Sequence, residues 1–324
     1  MPTVRDPHRL VTAATLYYVD QRSQAEVADL MQTSRSNVSR MLTEALRLGI
    51  VEIRVHDPSG RVTSVEAELA DRFGLDEVRV AARRQETAEV TTLGSVGRQA
   101  ANLLLGILRD GLTVAVSWGQ TLQSMVYAMT PEHDTAARFL PLVGGMSSVT
   151  NEITGQELVR ELAVRTGGAY EILFAPATFT SGQARDLMLG QPSISSVLDH
   201  ARKADVAFVG LGVPTHGSSA AVLDSMGLSA QERAEFMAAK PVGDVIARYY
   251  DADGRPIGGL TDERALGISL GDLQQIPRVV GVAHGRSKAS AVLGALRGKL
   301  IDSLVCDEQL ARALLATGGK GRLS

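Results

Sequence analysis

The sequence predicts an α/β protein in which a short helical part precedes a larger, doubly wound domain. Residues 10–48 carry apolar side chains at helical spacing. Farther along, short apolar runs alternate with helical stretches, which is typical of a parallel sheet with helices on both faces. Hydrophobic residues make up 44% of the 324-residue chain, which is enough to fill a substantial core. The length suits one small and one large domain.

The composition of the chain excludes several classes of protein and several kinds of site. The formal net charge of −3 gives no overall basic field, so a contact with nucleic acid must come from a local surface. The single cysteine, Cys306, excludes an intramolecular disulfide and a cysteine-based zinc site, and we expect a cytoplasmic protein. No apolar run reaches the ~18 residues of a membrane span, so no membrane partner is expected. The histidines lack metal-ligand spacing and no nucleotide fingerprint is present, so we predict neither a metal nor a cofactor.

The helical part contains two helices joined by a short turn. Residues 10–19 have helical apolar spacing, and Ser23 with Glu26 three positions later predicts a capping box for the next helix. The turn contains Gln32 where a glycine is common, so we expect a positive φ at Gln32. Ser34 then caps a second helix, whose predicted buried stripe is Val38, Met41, Leu42, Ala45 and Leu46.

The opposite face of this second helix is polar in a way that suits DNA. Arginine bonds guanine or phosphate, asparagine bonds adenine, and serine reaches phosphate oxygens. Gly49 ends the helix, and residues 51–55 alternate like a strand that would form a wing. The arrangement predicts a winged helix-turn-helix, whereas the plainer interpretation is a surface helix hairpin. The predicted DNA contacts are Gln24, Ser34, Arg35, Ser36, Asn37, Ser39 and Arg40.

Residues 62–75 predict an amphipathic helix that links this part to the rest of the chain. We therefore predict a DNA-binding domain at 1–56, a linker helix at 57–75 and a larger domain at 76–324. The predicted strands of the larger domain are Leu112–Val116, Arg138–Val143, Glu171–Phe174, Asp205–Gly210, Asp244–Tyr249, Arg278–Ala283 and Ile301–Val305. The helical stretches between them include Gly155–Thr166, Ile194–Lys203, Ser287–Leu296 and Glu308–Leu315.

Several predicted strands end in turns that are rich in glycine and small polar residues. These turns are residues 117–121, 144–148, 210–212 and 284–288. Ligands of doubly wound sheets bind at the carboxyl ends of the strands. The last turn places Lys288 at the start of a helix, where backbone N–H groups and the helix dipole favour an anion. A single glycine turn only ends a strand, but together the four predict a pocket for a small anionic ligand.

These segments resemble the SorC family of bacterial, sugar-sensing transcriptional regulators, also described as the SorC/DeoR group. The resemblance is carried by the helix-turn-helix segment and, in the family's order, by DGLTVAVSWGQTL, LPLVGGM, FAPA, ADVAFVGLG, VGDVIARYYDADGRPI, AHGRSKASAVLGAL and LVCDEQLARALL. It implies a Rossmann-like, sugar-binding effector domain that resembles sugar-phosphate isomerases and deaminases. By this resemblance the effector contacts would be Ser117, Gly119, Gln120, Thr121 and Lys288 around a phosphate, and Gly144, Pro176, Gly212, Asp244 and Asp251 around the polyol end.

The chain departs from the family's pattern at two places. Gln120 occupies the middle of a turn that is often richer in glycine and hydroxyl residues. Residues 169–171 lack the arginine that some members use for a second phosphate. Both departures disfavour a bisphosphate, and Gln120 leaves an unphosphorylated sugar or polyol open.

The expected function is that of a transcription factor whose operator affinity is controlled by a sugar phosphate, or by a sugar or polyol. The basis for this expectation is that one DNA-reading unit is joined to one enzyme-like pocket. The protein would bind operator DNA as a homodimer or homotetramer. The alternative is a sugar-phosphate isomerase or deaminase-like enzyme. Its acid–base candidates would be Asp244, Asp251 and His284, but no spacing unites them. We therefore predict no catalytic residue.

Overall fold

The computed structural model describes residues 6–51, 60–83, 91–130, 135–146 and 155–317, and it divides into two compact units, Met1–Asp57 and Pro58–Ser324. The smaller unit contains helices α1 (Pro7–Ala14), α2 (Gln24–Leu30) and α3 (Arg35–Arg47), with a π-helical turn at Thr15–Val19. The predicted wing strand lies outside the described residues except for Val51.

Local signals explain how the smaller unit begins and ends its helices. The Glu26 amide donates to Ser23 Oγ at 3.3 Å and the Ser23 amide donates to Glu26 Oε2 at 2.8 Å, which confirms the capping box. Ser34 Oγ accepts from the Asn37 amide at 3.2 Å, as predicted. Gln32 has φ 50°, which confirms the expected left-handed turn.

The core of the smaller unit follows the predicted stripe with one exception. Val38, Met41, Leu42 and Ala45 are buried together with Leu10, Ala13, Ala14, Val27 and Ala28. Leu46 was predicted to be buried but is 41% exposed. It lies in the last turn of α3.

The larger unit is a sheet covered by helices. Its strands are β1 (Glu77–Ala81), β2 (Thr113–Val116), β3 (Arg138–Pro141), β4 (Ala169–Tyr170), β5 (Val206–Gly210), β6 (Gly243–Val245), β7 (Arg248–Tyr250), β8 (Val279–Ala283) and β9 (Ser303–Asp307). Its helices are α4 (Thr63–Phe73), α5 (Thr92–Ile107), α6 (Gln120–Ala128), α7 (Gly155–Thr166), α8 (Gly182–Leu189), α9 (Pro192–Arg202), α10 (Gly217–Ser225), α11 (Ala230–Ala238), α12 (Leu260–Glu263), α13 (Leu270–Leu273), α14 (Ala289–Arg297) and α15 (Glu308–Thr317), with a 3₁₀ turn at Arg286–Lys288.

Seven of these strands form one parallel sheet in the order β1-β9-β8-β5-β2-β3-β4, and β6 pairs with β7 as a separate antiparallel hairpin. Both faces of the sheet are apolar. In β5, Ala207 and Val209 belong to the hydrophobic cluster on one face, whereas Val206 and Phe208 belong to the cluster on the other. Burial on both faces explains why the central strands are continuous apolar runs. The predicted doubly wound fold is confirmed.

Three features of the larger unit differ from the sequence-based prediction. Asp244–Tyr249, predicted as one strand, is a hairpin whose turn residues Ile246 and Ala247 have φ 51° and 61°. Glu171–Phe174 is not a strand, since the edge strand β4 precedes it. Strand β1 and helix α5 had not been predicted.

Candidate functional site

A cavity of about 230 Å³ lies at the carboxyl ends of β2, β5 and β8, beside the β6–β7 hairpin. Doubly wound sheets bind ligands at such a place. Seven of the predicted effector contacts line this pocket, namely Ser117, Gly119, Gln120, Thr121, Gly212, Asp244 and Lys288. The pocket therefore brings together residues that are up to 171 positions apart in the chain.

The β2–α6 turn is fixed by hydrogen bonds to the neighbouring strands. Ser117 Oγ accepts from the Gly210 amide at 3.0 Å, and Thr121 Oγ1 donates to the Val282 carbonyl at 3.3 Å. Gly119 has φ 124°, a region that residues with a side chain rarely adopt. Trp118 packs as a wall of the pocket and donates from Nε1 to the Gly144 carbonyl at 2.9 Å. These bonds hold the turn rigid while the start of α6 faces the cavity.

Three helices begin at the pocket: α6, α10 and α14, each of nine residues. Their N-cap residues are Gly119, His216 and Lys288, and within the described ranges none of the three makes a side-chain capping bond. By contrast α5, α8 and α11 are capped by Thr91, Ser181 and Ser229. The first amides of an α-helix have no intrahelical partner, and the positive end of the helix dipole favours an anion. With Lys288 in the same wall, this side of the pocket is suited to a negative group.

The pocket also contains an acidic side chain, that of Asp244. Its residue is 7% exposed, and its Oδ1 has no hydrogen-bond partner among the described residues. Burial raises the pKa of Asp244 to about 6, although the Ser219 hydroxyl and the Lys288 charge act in the other direction. The backbone of Asp244 pairs with Gly212, and a Cβ at Gly212 would lie 2.2 Å from Oδ1. Glycine at that position therefore leaves room for the carboxylate.

Arg248 holds the hairpin that carries Asp244. Its side chain is 5% exposed, and its guanidinium donates to Asp262 Oδ1 and to the carbonyls of Asp262, Ala265, Gly267 and Ile268, at 2.5–3.4 Å. Burial lowers the pKa of Arg248, and the Asp262 carboxylate opposes this shift. A planar group with five donors is well suited to gather several carbonyls at one point. The contact anchors the hairpin to the 262–268 segment.

Three predicted effector contacts do not line the pocket. A Cβ at Gly144 would lie 2.3 Å from the Pro176 carbonyl, and the Gly144 amide donates to Leu266, so Gly144 and Pro176 pack against framework segments. Asp251 Oδ1 accepts from the amides of Asp253 and Arg255, both at 2.9 Å. These bonds shape a tight turn that packs at the other end of α14. These three positions lie outside the lining of the pocket, and their contact with an effector stays a prediction.

Sequence reasoning also missed part of the lining: His216, Gly217, Ser218, Ser219, Ile246 and Ala247. His216 is exposed and is the N-cap residue of α10 at the pocket. A glycine followed by small polar residues, soon after β5, was the available signal. The hairpin turn gave no such signal, because neither Ile246 nor Ala247 is a usual turn residue.

The predicted DNA contacts lie on and around α3. Arg35, Ser36, Ser39 and Arg40 are exposed, and Gln24 is partly exposed at the start of α2. Asn37 Nδ2 donates to Thr33 Oγ1 at 2.8 Å, and Ser34 is used as the helix cap. The four exposed side chains of α3, those of Arg35, Ser36, Ser39 and Arg40, are thus the most available to a partner. Their contact with DNA stays a prediction.

Residues 57–316 match the family model described as "Putative sugar-binding domain". Among curated proteins, the chain is 32% identical over 305 residues to the transcriptional regulator LsrR of Klebsiella pneumoniae subsp. pneumoniae, covering 94% of this chain and 91% of that one. It is 28% identical to the deoxyribonucleoside regulator of Bacillus subtilis, covering 94% and 96%.

Solved structures agree with these similarities. The full-length sorbitol operon regulator SorC of Klebsiella pneumoniae matches with a TM-score of 0.72 and 27% identity, covering 95% of this chain and 98% of that one. The sugar-binding domain of a transcriptional repressor from Vibrio fischeri matches with a TM-score of 0.71 and 29% identity, covering 79% and 98%. These relatives are transcriptional regulators rather than isomerases or deaminases, so the enzyme alternative has no support. The chain belongs to the SorC family of transcriptional regulators that contain a sugar-binding domain.

Proposed function

We propose that this regulator binds operator DNA through α2 and α3, and that a sugar phosphate in the pocket changes its affinity for the operator. The observation that carries the effector half is the pocket itself, which combines three helix N-termini and Lys288 with the buried carboxylate of Asp244. A ligand with an anionic group and hydroxyl groups suits both features.

The anionic end is supported by electrostatics. A phosphate accepts hydrogen bonds from the amides at a helix N-terminus, which α6 presents to the pocket, and from an ammonium group, which Lys288 supplies where α14 begins. Gln120 contributes an amide side chain to the same rim. That amide is neutral, so it can bond a sugar hydroxyl as well as a phosphate oxygen. An unphosphorylated sugar or polyol is therefore the competing effector.

The hydroxyl end is supported by Asp244. A buried carboxylate oxygen without a donor carries a desolvation cost, and a ligand hydroxyl that donates to Oδ1 would remove it. The volume of about 230 Å³ is below the ~300–1,000 Å³ of pockets for drug-sized ligands. We infer that the effector is a single sugar unit rather than a nucleotide.

The DNA half is supported by α3. Arg35 and Arg40 are exposed and carry the donors that bond phosphate or guanine, and Ser36 and Ser39 are exposed on the same helix. One recognition helix reads only a half-site, so we propose that the DNA-binding form is a homodimer or homotetramer on a two-fold operator. Sedimentation of the full chain with and without operator measures that state.

The test is a titration of the full chain into a labelled DNA fragment from upstream of its own gene, at several salt concentrations. The panel contains glucose 6-phosphate, fructose 6-phosphate, ribose 5-phosphate and deoxyribose 5-phosphate, each with its unphosphorylated counterpart, and sorbitol. We expect sequence-selective, salt-dependent binding that one phosphorylated member changes. Binding that does not distinguish this fragment from random DNA contradicts the DNA half. A response to the unphosphorylated counterpart alone replaces the sugar phosphate by a sugar or polyol.

A further inference from the structure

Two buried carboxylates, Asp307 and Glu66, lie along a continuous set of hydrogen bonds between the pocket and residues 60–62. Both are almost fully buried, at 2% and 6% exposure, and neither lines the cavity. Residues 60–62 are the first described residues after the boundary between the two units at Asp57. A group that responds to the pocket and also holds this segment is well placed to carry a signal towards the DNA-binding unit.

Asp307 connects the pocket loop to α15. Its Oδ2 accepts from the Gly285 amide at 2.6 Å, and its Oδ1 accepts from the amides of Gln309 and Leu310 at 2.9 and 3.0 Å. Gly285 begins the 3₁₀ turn that ends at Lys288, which lines the pocket. Leaving a buried carboxylate oxygen without its donor is costly, so the loop cannot shift while Asp307 and the start of α15 stay in place.

The sheet register extends this connection to the edge strand. Asp307 is the Cα partner of Ala81 in the β9–β1 pairing, and Ala81 in turn forms an antiparallel bridge with Arg61. On either side of that bridge the Ala82 amide donates to Gly60 at 2.8 Å, and the Val62 amide donates to Val80 at 3.0 Å. Residues 60–62 therefore pair with β1 on the side that β9 leaves open.

Glu66 fixes the same segment from the other side. Its two carboxylate oxygens accept from Nε and Nη2 of Arg61 at 2.9 and 2.6 Å, and Oε1 also accepts from the Val80 amide at 2.8 Å. A bidentate arginine–carboxylate pair is strong and directional. Glu66 lies on α4. The C-terminal end of α15 contacts this helix too, because Arg72 of α4 donates to the Leu315 carbonyl at 2.6 Å.

We propose that Asp307 and Glu66 form a relay in which occupancy of the pocket is transmitted through Gly285, α15 and β1 to residues 60–62. The relay rests on the proposed function, since it describes how the effector site controls operator affinity. The effector acts on the Lys288 loop, Asp307 moves with Gly285, and the end of β1 carries Arg61 and Glu66 with it. Asp307 and Glu66 are positioning residues and touch neither ligand nor DNA.

The test compares Glu66→Gln with Glu77→Gln in the full chain. Glu77 lies on β1 and is likewise held by arginines, Arg79 and Arg278, but it lies at the opposite end of the strand. The probe is the panel compound that changes the operator affinity of the wild-type chain most. We measure the Kd of that probe by calorimetry and the ratio of operator Kd values with and without it.

For Glu66→Gln we expect that ratio to fall by about 5-fold or more, because coupling between sites is commonly worth 5–150-fold. The probe's own Kd should stay within about 2-fold, and Glu77→Gln should keep the wild-type ratio. An unchanged ratio in Glu66→Gln overturns the relay. A wild-type chain that binds the probe but gives no change on DNA contradicts the proposed function instead.

Hydrogen exchange on the wild-type chain tests the relay without substitution. The amides of Val62, Val80 and Ala82 donate within it, so their exchange rates should change when the probe binds. Identical rates with and without the probe overturn the relay. The measurement also decides the matter if Glu66→Gln fails to fold.

Discussion

The helix pair of the smaller unit and the pocket of the larger unit present their polar groups in opposite ways. On α3 the polar side chains come from one short stretch, are exposed, and surround an ordinary apolar stripe. In the pocket they come from distant parts of the chain, and Asp244 is buried with no partner for Oδ1 in the part of the chain that the structure describes. The first surface needs only a stable helix, whereas the second needs the whole sheet to be in place.

The difference has an energetic consequence. An exposed arginine costs the fold little, and its removal affects only the contact it makes. A buried carboxylate with one oxygen unpaired among the described residues destabilises the ligand-free protein, so function and stability are in conflict at Asp244 but not at Arg40. Four substitutions test this contrast.

Lys288→Ala should cause the largest loss. Removing a charged donor from a phosphate costs about 1.5–3 kcal/mol, which corresponds to roughly 10–150-fold weaker binding of the phosphorylated probe. Operator affinity without the probe should not change. The control is Lys203→Ala, since Lys203 is exposed just after α9 and outside the pocket lining. Calorimetry that finds equal probe affinity in the two variants contradicts the phosphate role.

Asp244→Asn should stabilise the ligand-free protein while it weakens the effector response. The pKa of Asp244 rises from 3.8 to about 6 on folding, because burial disfavours the ionised carboxylate. The ionised form therefore destabilises the folded state, whereas the protonated form does not. Its destabilising effect therefore grows as the pH rises from about 4 to about 6 and is constant above that. A shift of this size corresponds to roughly 2–3 kcal/mol.

Unfolding by urea measures this effect. At pH 8 the free energy of unfolding should be higher for Asp244→Asn than for the wild-type chain, and at pH 4 the two should agree. The same titration predicts that the wild-type affinity for the probe rises with pH through about 6, because a hydroxyl donor requires the ionised carboxylate. Equal stability of both proteins at pH 8 would show that Asp244 is not strained by burial.

Arg40→Ala should weaken operator binding by about 1–3 kcal/mol if Arg40 reads a base, without an effect on probe binding. Arg47→Ala is the matched control, because Arg47 lies on the same helix but is paired with Glu44 at 2.6 Å. Electrophoretic mobility shifts at several salt concentrations separate the two. If both variants bind the operator like the wild-type chain, Arg40 makes no contact with DNA.

Gln32→Gly should have the smallest effect, a stabilisation of the helix pair by about 0.5–1 kcal/mol. Gln32 adopts φ 50°, which glycine takes without the steric cost that a side chain adds. Ser39→Gly, in the middle of α3, should instead destabilise by about 1 kcal/mol. Thermal unfolding monitored by circular dichroism compares the two, and a loss of stability in both contradicts the expected gain at Gln32.

The same contrast explains what could be predicted from sequence. The caps of α2 and α3 depend on residues three positions apart, and the strands β2, β5, β8 and β9 are short apolar runs, so each was visible locally. The hairpin was missed because Asp244–Tyr249 alternates like one strand. The convergence of α10 with α6 and α14 was missed because it depends on the strand order, which no local pattern encodes.

The Ile246–Ala247 turn also sets an order of events during folding. Both residues have positive φ, which costs residues with a side chain roughly 1–2 kcal/mol each, so the β6–β7 hairpin has little tendency to close alone. Closure depends on Arg248 and on carbonyls that lie 14 to 20 residues farther along the chain. On a ribosome, the pocket wall therefore forms only after residue 268 has emerged, so a newly made chain acquires the helices proposed to bind DNA well before it acquires the proposed effector site.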